Sequence, residues 1–328
     1  MLSEIINNYL PVDRINLRGD DFYNKKINAI KKELSLVNNK HGWQDRKTCP
    51  VCLSNDYKVE FASFGIDIIA CKRCTLRYAA KVPIDPNDVY EDLVYFDIIQ
   101  DSYVAFHEYR KQRLGKDRVK LIINQLGNIN GKKLLDIGSG SGYFLECAIE
   151  AGAECTGIEA GTHLREWSQK RLGVSIMKDD IVEMPSNMLF DIITMFDVIE
   201  HVVDPVALMK SVRQHLTLSG IVVVFTPNFD SIGFKYMKEK SNLIFPTGHL
   251  TYFTNKSMNC LLKKVGLELV HFETCGMDVA DILGYLETDK EQNKDIISFL
   301  SKIENDMQAI INKAEAANHM RIIASRVE

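Results

Sequence analysis

Residues 134–144 read Leu-Leu-Asp-Ile-Gly-Ser-Gly-Ser-Gly-Tyr-Phe, and this run constrains the fold more than any other stretch. An apolar strand ends in Asp136. Glycines stand at the alternate positions Gly138, Gly140 and Gly142, and an apolar helical pattern starts at Tyr143. Strand, glycine turn and helix in that order expose bare backbone at a helix N-terminus, where a ligand can approach closely. The dinucleotide fingerprint would place its third glycine at position 143, which is Tyr. The turn therefore suits a smaller ligand better than a pyrophosphate. Taken alone, it could also be a tight connection with no ligand.

The segments that follow carry the same rhythm. Cys155-Thr156-Gly157-Ile158 ends in Glu159, where a carboxylate at the end of a second strand can accept both hydroxyls of a ribose. Val174–Met177 reads as a third strand before Asp179-Asp180-Ile181, and Phe190–Phe196 as a fourth before Asp197-Val-Ile-Glu200-His201. Glu159 could instead be a solvated strand end, and Asp179 or Asp180 a helix cap. Further strands are expected near 220–226, 267–274 and 319–327, with helices at 103–126, at 205–216 and as one long segment over 278–317. Alternating strands and helices indicate a mostly parallel α/β sheet.

Through Asp136-Ile-Gly-Ser-Gly-Ser-Gly142, Ile158-Glu159, Asp180-Ile181 and Phe190 to His201, the chain resembles the class I S-adenosylmethionine-dependent methyltransferases over roughly residues 126–328. The resemblance implies a Rossmann-like, seven-stranded sheet ending in an antiparallel hairpin. It implies S-adenosyl-L-methionine as cofactor. Asp136 and Gly142 belong to the loop, Gly138 and Gly140 would approach the methionine part, and Glu159 would hold the ribose. Asp180 and Ile181 would flank the adenine, and Phe196 and Asp197 would line the cofactor floor.

Four of the eight cysteines form a second signal: Cys49-Pro-Val-Cys52 and Cys71-Lys-Arg-Cys74, with 18 residues between the pairs. Two C-x-x-C knuckles at this separation read as one tetrahedral zinc site. Two disulfides would satisfy the count but suit a reducing compartment poorly. Four sulfurs close the coordination sphere, so the Zn2+ would be structural. Tyr57–Ala62 and Ile66–Ala70 read as the hairpin of a zinc ribbon. Expected boundaries are a helical segment over 1–46, the ribbon over 47–80, a linker and helix over 81–125, and the methyltransferase domain over 126–328.

Composition sets limits. With 46% hydrophobic and 26% charged residues in 328, the chain can bury a sizeable core. No apolar run reaches transmembrane length, so membrane insertion is not expected. The start, Met-Leu-Ser-Glu-Ile-Ile, lacks the basic and apolar regions of a signal peptide, which points to a cytoplasmic protein. A net charge of −4 gives no general attraction to nucleic acid.

Catalytic candidates are His249, in Phe245-Pro-Thr-Gly-His249-Leu-Thr-Tyr252-Phe253, and His201. Loops after the fourth and fifth strands face the ligand crevice of such sheets, and a neutral imidazole can take the acceptor's proton near neutral pH. The other histidines, His41, His107, His163, His215, His271 and His319, read as ordinary surface or strand residues. More narrowly, the chain is similar to sugar methyltransferases of glycan and deoxysugar pathways. In their C-methylating branch a Tyr and a Glu precede the histidine. Here Pro246 and Gly248 stand there, which favours O-methylation of a small, anionic sugar derivative. Glu200-His201 also resembles quinone-type O-methyltransferases. Two other readings stay open: a ribosomal RNA methyltransferase, using Arg110, Lys111, Arg113, Lys116, Arg118 and Lys120 to track phosphates, and an inactive cofactor-binding protein.

Overall fold

The computed structural model describes residues 2–7, 9–13, 16–17, 22–84, 103–178 and 180–327. The expected linker around Pro86, Tyr90 and Tyr95, and Asp179, lie outside the described residues.

The N-terminal third holds helix α1 (Phe22–Leu36), which widens into a last turn over Val37–His41 and stops at Gly42. Strand β1 (Trp43–Asp45) follows, then β2 (Tyr57–Ser63), β3 (Ile66–Cys71), β4 (Arg77–Ala79) and β5 (Lys81–Pro83). β2 and β3 form the expected hairpin within one residue at each end. Its two turn residues, Phe64 and Gly65, both have positive φ, at 49° and 76°. That geometry matches the right-handed twist of the flanking strands. β5 returns to pair with β1.

The core begins with α2 (Lys116–Leu126) and continues as β6 (Lys133–Ile137), α3 (Tyr143–Glu150), β7 (Glu154–Ile158), α4 (Thr162–Leu172), β8 (Ile176–Met177), β9 (Phe190–Phe196), α5 (Pro205–His215) and β10 (Leu216–Pro227). The chain closes with β11 (Thr251–Tyr252), α6 (Asn255–Lys264), β12 (Leu267–Cys275), α7 (Asp278–Leu286), α8 (Lys294–Lys313) and β13 (His319–Arg326). Seven strands form one sheet in the order β12-β13-β10-β9-β6-β7-β8. Neighbours from β10 to β8 are parallel, and β13 lies antiparallel between β10 and β12. This is the expected Rossmann-like sheet with its terminal hairpin. The central strands carry continuous apolar runs because helices cover both faces: Leu134, Leu135, Ile192 and Ile193 are all fully buried. Burial of such side chains stabilises the fold by about 1.5–3 kcal/mol each.

Local chemistry fixes the helix ends. The Asp204 carboxylate accepts from the Val206 and Ala207 amides at 3.0 and 2.9 Å, with Pro205 opening α5. Thr254 and Ser257 form a reciprocal capping box on α6.

Three elements differ from expectation. The third strand shrinks to two residues. The helix expected over 103–126 contains a widened turn at Lys111–Gly115, where a Cβ on Gly115 would fall 2.8 Å from Cys147 Sγ. The missing side chain at Gly115 lets α3 lie close against it. The segment 278–317 is broken, because Glu287–Asn293 offers no apolar face; Asn293 Nδ2 instead donates to the Leu286 and Asp289 carbonyls at 3.1 and 2.9 Å. α7 and α8 consequently fold back on each other around Val279, Leu283 and Ile311.

The expected boundary near residue 126 does not isolate the two halves. β11 extends the ribbon sheet, pairing Thr251 with Tyr78 and Tyr252 with Arg77. The buried Arg46 guanidinium donates to the Leu250 and Val203 carbonyls at 3.2 and 3.1 Å. Lys264 Nζ reaches the Val51 carbonyl at 2.7 Å, and the Thr75 and Thr254 hydroxyls meet at 2.7 Å.

Candidate functional site

The glycine loop sits at the C-terminal end of β6. Gly138, Gly140 and Gly142 have φ of 70°, 55° and 72°, the left-handed region that side chains resist. Space is also scarce: a Cβ on Gly138 would stand 2.5 Å from Val198 Cγ2, and one on Gly142 2.6 Å from Leu172 Cδ1. Glu159, at the end of β7, accepts from the Gly140 amide at 2.7 Å and the Gly161 amide at 2.8 Å. One backbone donor on each oxygen leaves each a further lone pair. Glu159 is thus both a brace for the loop and a potential acceptor for a diol. Burial holds its carboxyl above the usual range, against the pull of the two amides and Arg165.

Asp136 takes the Thr194 hydroxyl at 2.6 Å from the neighbouring strand β9. Burial pushes its carboxyl up to about 7, with Thr194 and Arg118 acting the other way. Asp180 is exposed, and its carboxylate caps the turn at Ile181 by accepting from Val182 N at 3.2 Å. Ile181 is fully buried in the core, so in this conformation it offers no face to a ring. Phe196 packs edge-on against Phe144 with centroids 4.8 Å apart, and Asp197 adopts φ of 59° directly after it.

Several residues to which the sequence reading gave other roles organise this side. Arg118 is buried, lies over the Phe196 ring at 4.0 Å and the Phe225 ring at 4.9 Å, bonds to the Tyr143 hydroxyl and reaches Asp197 at 3.9 Å. His319 stacks on Phe225 and comes within 3.6 Å of Asp197. His107 is no surface residue: it is buried, joining Ser141 Oγ at 3.1 Å to the Glu146 carboxylate at 2.8 Å. His215 is buried too, against the Ser211 carbonyl. The basic cluster is likewise mostly spent inside the molecule. Lys111 pairs with Glu146 and Glu150, Arg110 donates to the Leu17 carbonyl, and Arg113 donates to the Leu10 and Pro11 carbonyls. Amphipathic spacing hid most of these roles, because the partners lie on elements far away in sequence, as Leu17 does from Arg110 and Glu146 from His107.

The two histidine candidates lie side by side. The His201 and His249 rings meet edge to face, with centroids 4.8 Å apart. His201 Nδ1 bonds to the Gly248 carbonyl at 3.0 Å, and His249 Nδ1 to the Leu243 carbonyl at 2.9 Å. Glu200, fully buried, accepts from the Thr226 hydroxyl at 2.9 Å. Burial and the neighbouring Asp197 hold its carboxyl well above the usual range. Burial lowers His201 to about 4 and His249 well below its ordinary value, so both rings are neutral at neutral pH. An imidazole titrating near its ordinary value is therefore not what the fold provides. Helix α1 closes this side. Glu33 accepts from the Thr247 hydroxyl at 2.7 Å, and Lys26 reaches the Asn242 carbonyl while lying 5.4 Å over the Phe245 ring. Burial pushes Glu33 up to about 7.

The four ribbon cysteines also converge. Cys49 Sγ lies 3.5 Å from Cys74 Sγ, Cys52 Sγ lies 3.5 Å from Cys71 Sγ, and all four sulfurs fall within 4.8 Å of one another. Ligands about 2.3 Å from a tetrahedral zinc stand about 3.8 Å apart. The cluster fits that ion.

Residues 106–272 match the family model of the methyltransferase domain. The chain belongs to that family. It is 25% identical over 164 residues to a ubiquinone biosynthesis O-methyltransferase of Escherichia fergusonii, across 46% of this chain and 66% of that one. It is 30% identical over 122 residues to a protein of the same name from Actinobacillus pleuropneumoniae, across 34% and 52%. The similarity therefore spans less than two thirds of these relatives. Among solved structures, a chain from the complex of the Haloferax volcanii Trm112 methyltransferase activator with a methyltransferase aligns with TM-score 0.50 and 13% identity. That match covers 70% of this chain and 96% of the other, a likeness of fold. Among the described residues no helix is long and apolar enough to cross a membrane.

Proposed function

We propose that this methyltransferase-family protein transfers the methyl group of S-adenosyl-L-methionine to an oxygen of a small molecule, most simply a sugar or nucleotide-linked sugar bearing negative charge. The observation that carries the reading is the juxtaposition at the C-terminal edge of the sheet. The glycine loop with Glu159 supports a cofactor on one side, and His201 and His249 face each other behind the adjacent strands β9 and β10. The curated relatives are named O-methyltransferases of ubiquinone biosynthesis, which supports an oxygen acceptor and keeps a quinone-type phenol as the second acceptor class. Gly248 beside His249, in place of a carboxylate, also favours oxygen over carbon.

When bound, the cofactor supplies an electrophilic methyl on a sulfonium. The chain does the rest. Gly138 and Gly140 leave room for the methionine part, Glu159 accepts from the ribose, and Asp180 accepts from the adenine amino group. Asp197, directly after β9, brings negative charge toward a cationic sulfonium. His249, with His201 beside it, removes the acceptor's proton; in the simplest form its Nε2 is the base. Phe245, Tyr252 and Phe253 are buried and wall the pair from water. Cys49, Cys52, Cys71 and Cys74 hold a structural Zn2+ that shapes the ribbon.

Labelled cofactor offered with nucleotide sugars, dihydroxyphenols and ribosomal RNA tests the acceptor. The expected product is a methyl ether, and label in RNA would defeat the reading. His249→Ala should lower turnover by roughly a hundred- to ten-thousand-fold, with cofactor affinity nearly unchanged.

A further inference from the structure

Glu159 is not the sole anchor of the glycine loop. Ser141, between the second and third glycines, is fully buried, so its side chain faces the protein. Its hydroxyl meets His107 Nδ1 at 3.1 Å, and His107 Nε2 meets the Glu146 carboxylate at 2.8 Å. Against the opposing effect of burial, Arg171, Lys111 and His107 hold that carboxyl down to about 2. An ionised carboxylate can only accept, so a ring proton stands on Nε2. Burial keeps His107 below its ordinary value, against the pull of Glu146, and the ring is neutral at neutral pH. Nδ1 therefore carries a lone pair and takes the Ser141 hydrogen. The relay runs one way: Ser141 donates to His107, and His107 donates to Glu146.

The order serine, histidine, carboxylate is that of a nucleophilic triad, but a fully buried hydroxyl reaches no substrate. Its effect falls on the loop that carries it. Three glycines at positive φ give that loop few side chains by which to be held. Of its two serines, Ser141 bonds to another element, whereas the Ser139 hydroxyl has no partner among the described residues. The preceding segment is laid along the loop to match. Tyr103, His107, Lys111 and Gly115 stand four apart in sequence. A Cβ on Gly140 would lie 3.3 Å from the Tyr103 ring, and one on Gly115 would lie 3.0 Å from the Tyr143 carbonyl. Lys111 Nζ bonds to Glu146 at 2.8 Å. Trp167 of α4 closes the relay edge-on, with its ring centroid 4.9 Å from that of His107.

We propose that His107 is a positioning residue for the cofactor: by fixing Ser141 it holds the glycine loop in the shape the ligand needs, without touching the ligand. The proposal rests on reading this loop as the S-adenosyl-L-methionine site. A loop already held loses less freedom when it binds, so affinity rises with no added contact.

Calorimetry with S-adenosylhomocysteine on the zinc-loaded full chain tests this. His107→Asn keeps an acceptor near the place of Nδ1 but gives up Glu146. His107→Gln keeps a donor for Glu146 but gives up the acceptor for Ser141. Affinity should fall roughly three- to tenfold in His107→Gln and in Ser141→Ala, and His107→Asn should restore it to within about twofold of wild type. In the Ser141→Ala background, His107→Gln should cost less than about a further twofold, because the pair acts as one unit. Loss in His107→Asn with retention in His107→Gln would assign the histidine to bracing Glu146 alone and overturn the proposal. Additive losses would do the same. Nitrogen-15 spectra of wild type need no variant to fold: His107 should show a protonated Nε2 and a bare Nδ1 at neutral pH, and the opposite tautomer overturns the relay. Wild type that binds no S-adenosylhomocysteine defeats the cofactor reading of the loop and the proposal with it. Wild-type binding with unchanged affinity in both His107→Gln and Ser141→Ala defeats the proposal alone.

Discussion

The two sides of the proposed site, one for cofactor and one for acceptor, are built in opposite ways. The cofactor side comes from consecutive pieces of chain: β6, the glycine loop, α3, β7 and the turn at Gly161. Its central interaction, Glu159 holding the Gly140 amide, joins residues 19 apart in sequence. The acceptor side is assembled from afar. Glu33 meets Thr247 across 214 residues, and Arg46 meets Leu250 across 204. A local site depends on its own turn, whereas an assembled one inherits the stability of every element that reaches it. The two sides should therefore fail separately.

The largest separation should come from the ribbon. Purified protein should carry about one zinc per chain, and Cys71→Ser should remove it. Because β4 pairs with β11 two residues after His249, loss of the metal should displace the acceptor loop as well as the ribbon. Turnover should fall roughly a hundredfold or more, as expected for an ångström-scale misplacement, while cofactor affinity stays within about threefold. Elemental analysis, calorimetry and a turnover assay check this together. Metal-free protein with full turnover would break the comparison.

The reciprocal test is milder. Glu159→Ala removes a charged acceptor and should weaken binding of S-adenosylmethionine by roughly ten- to a hundredfold, for about 1.5–3 kcal/mol. Zinc content and the pairing of β4 with β11 should not change. Unaltered affinity by calorimetry would take Glu159 out of the ribose site.

The smallest effect concerns pH. A carboxyl whose folded value lies above its unfolded one supports the fold below the unfolded value and loses that support as pH rises through the folded one. For Glu33 the window runs from the ordinary 4.5 to about 7. Glu33→Gln keeps an acceptor for Thr247 but cannot ionise. Its thermal midpoint should fall less steeply than that of wild type between pH 4.5 and 7. Parallel curves would show that helix α1 does not hold the acceptor loop through this residue.

The same contrast explains what the sequence revealed. The glycine turn and the order of the strands were legible because each is a short local pattern repeating one strand-and-helix rhythm. The hairpin and the convergence of its four cysteines were legible because two C-x-x-C knuckles at that separation suit a single metal ion. Sequence reading also singled out His201 and His249, whose rings lie 4.8 Å apart. It could not show Arg118 lying over Phe196, His107 buried beneath the glycine loop, or Glu33 buried under Thr247, because a charged residue on an amphipathic helix looks solvated until its distant partner is known. Nor could it foresee that burial would carry the two histidines away from their ordinary titration.

The pairing of Thr251 with Tyr78 also has a consequence for synthesis. The ribbon hairpin leaves the ribosome with its β4 edge ready, yet the strand that covers that edge emerges about 170 residues later. At about 5–20 residues per second, the edge waits roughly 10–30 s. For that interval the nascent chain presents an open strand ending in Tyr78-Ala79, the kind of template that recruits other chains. A chaperone bound to this edge, or early zinc capture that keeps the hairpin rigid, would protect the protein before its second half exists.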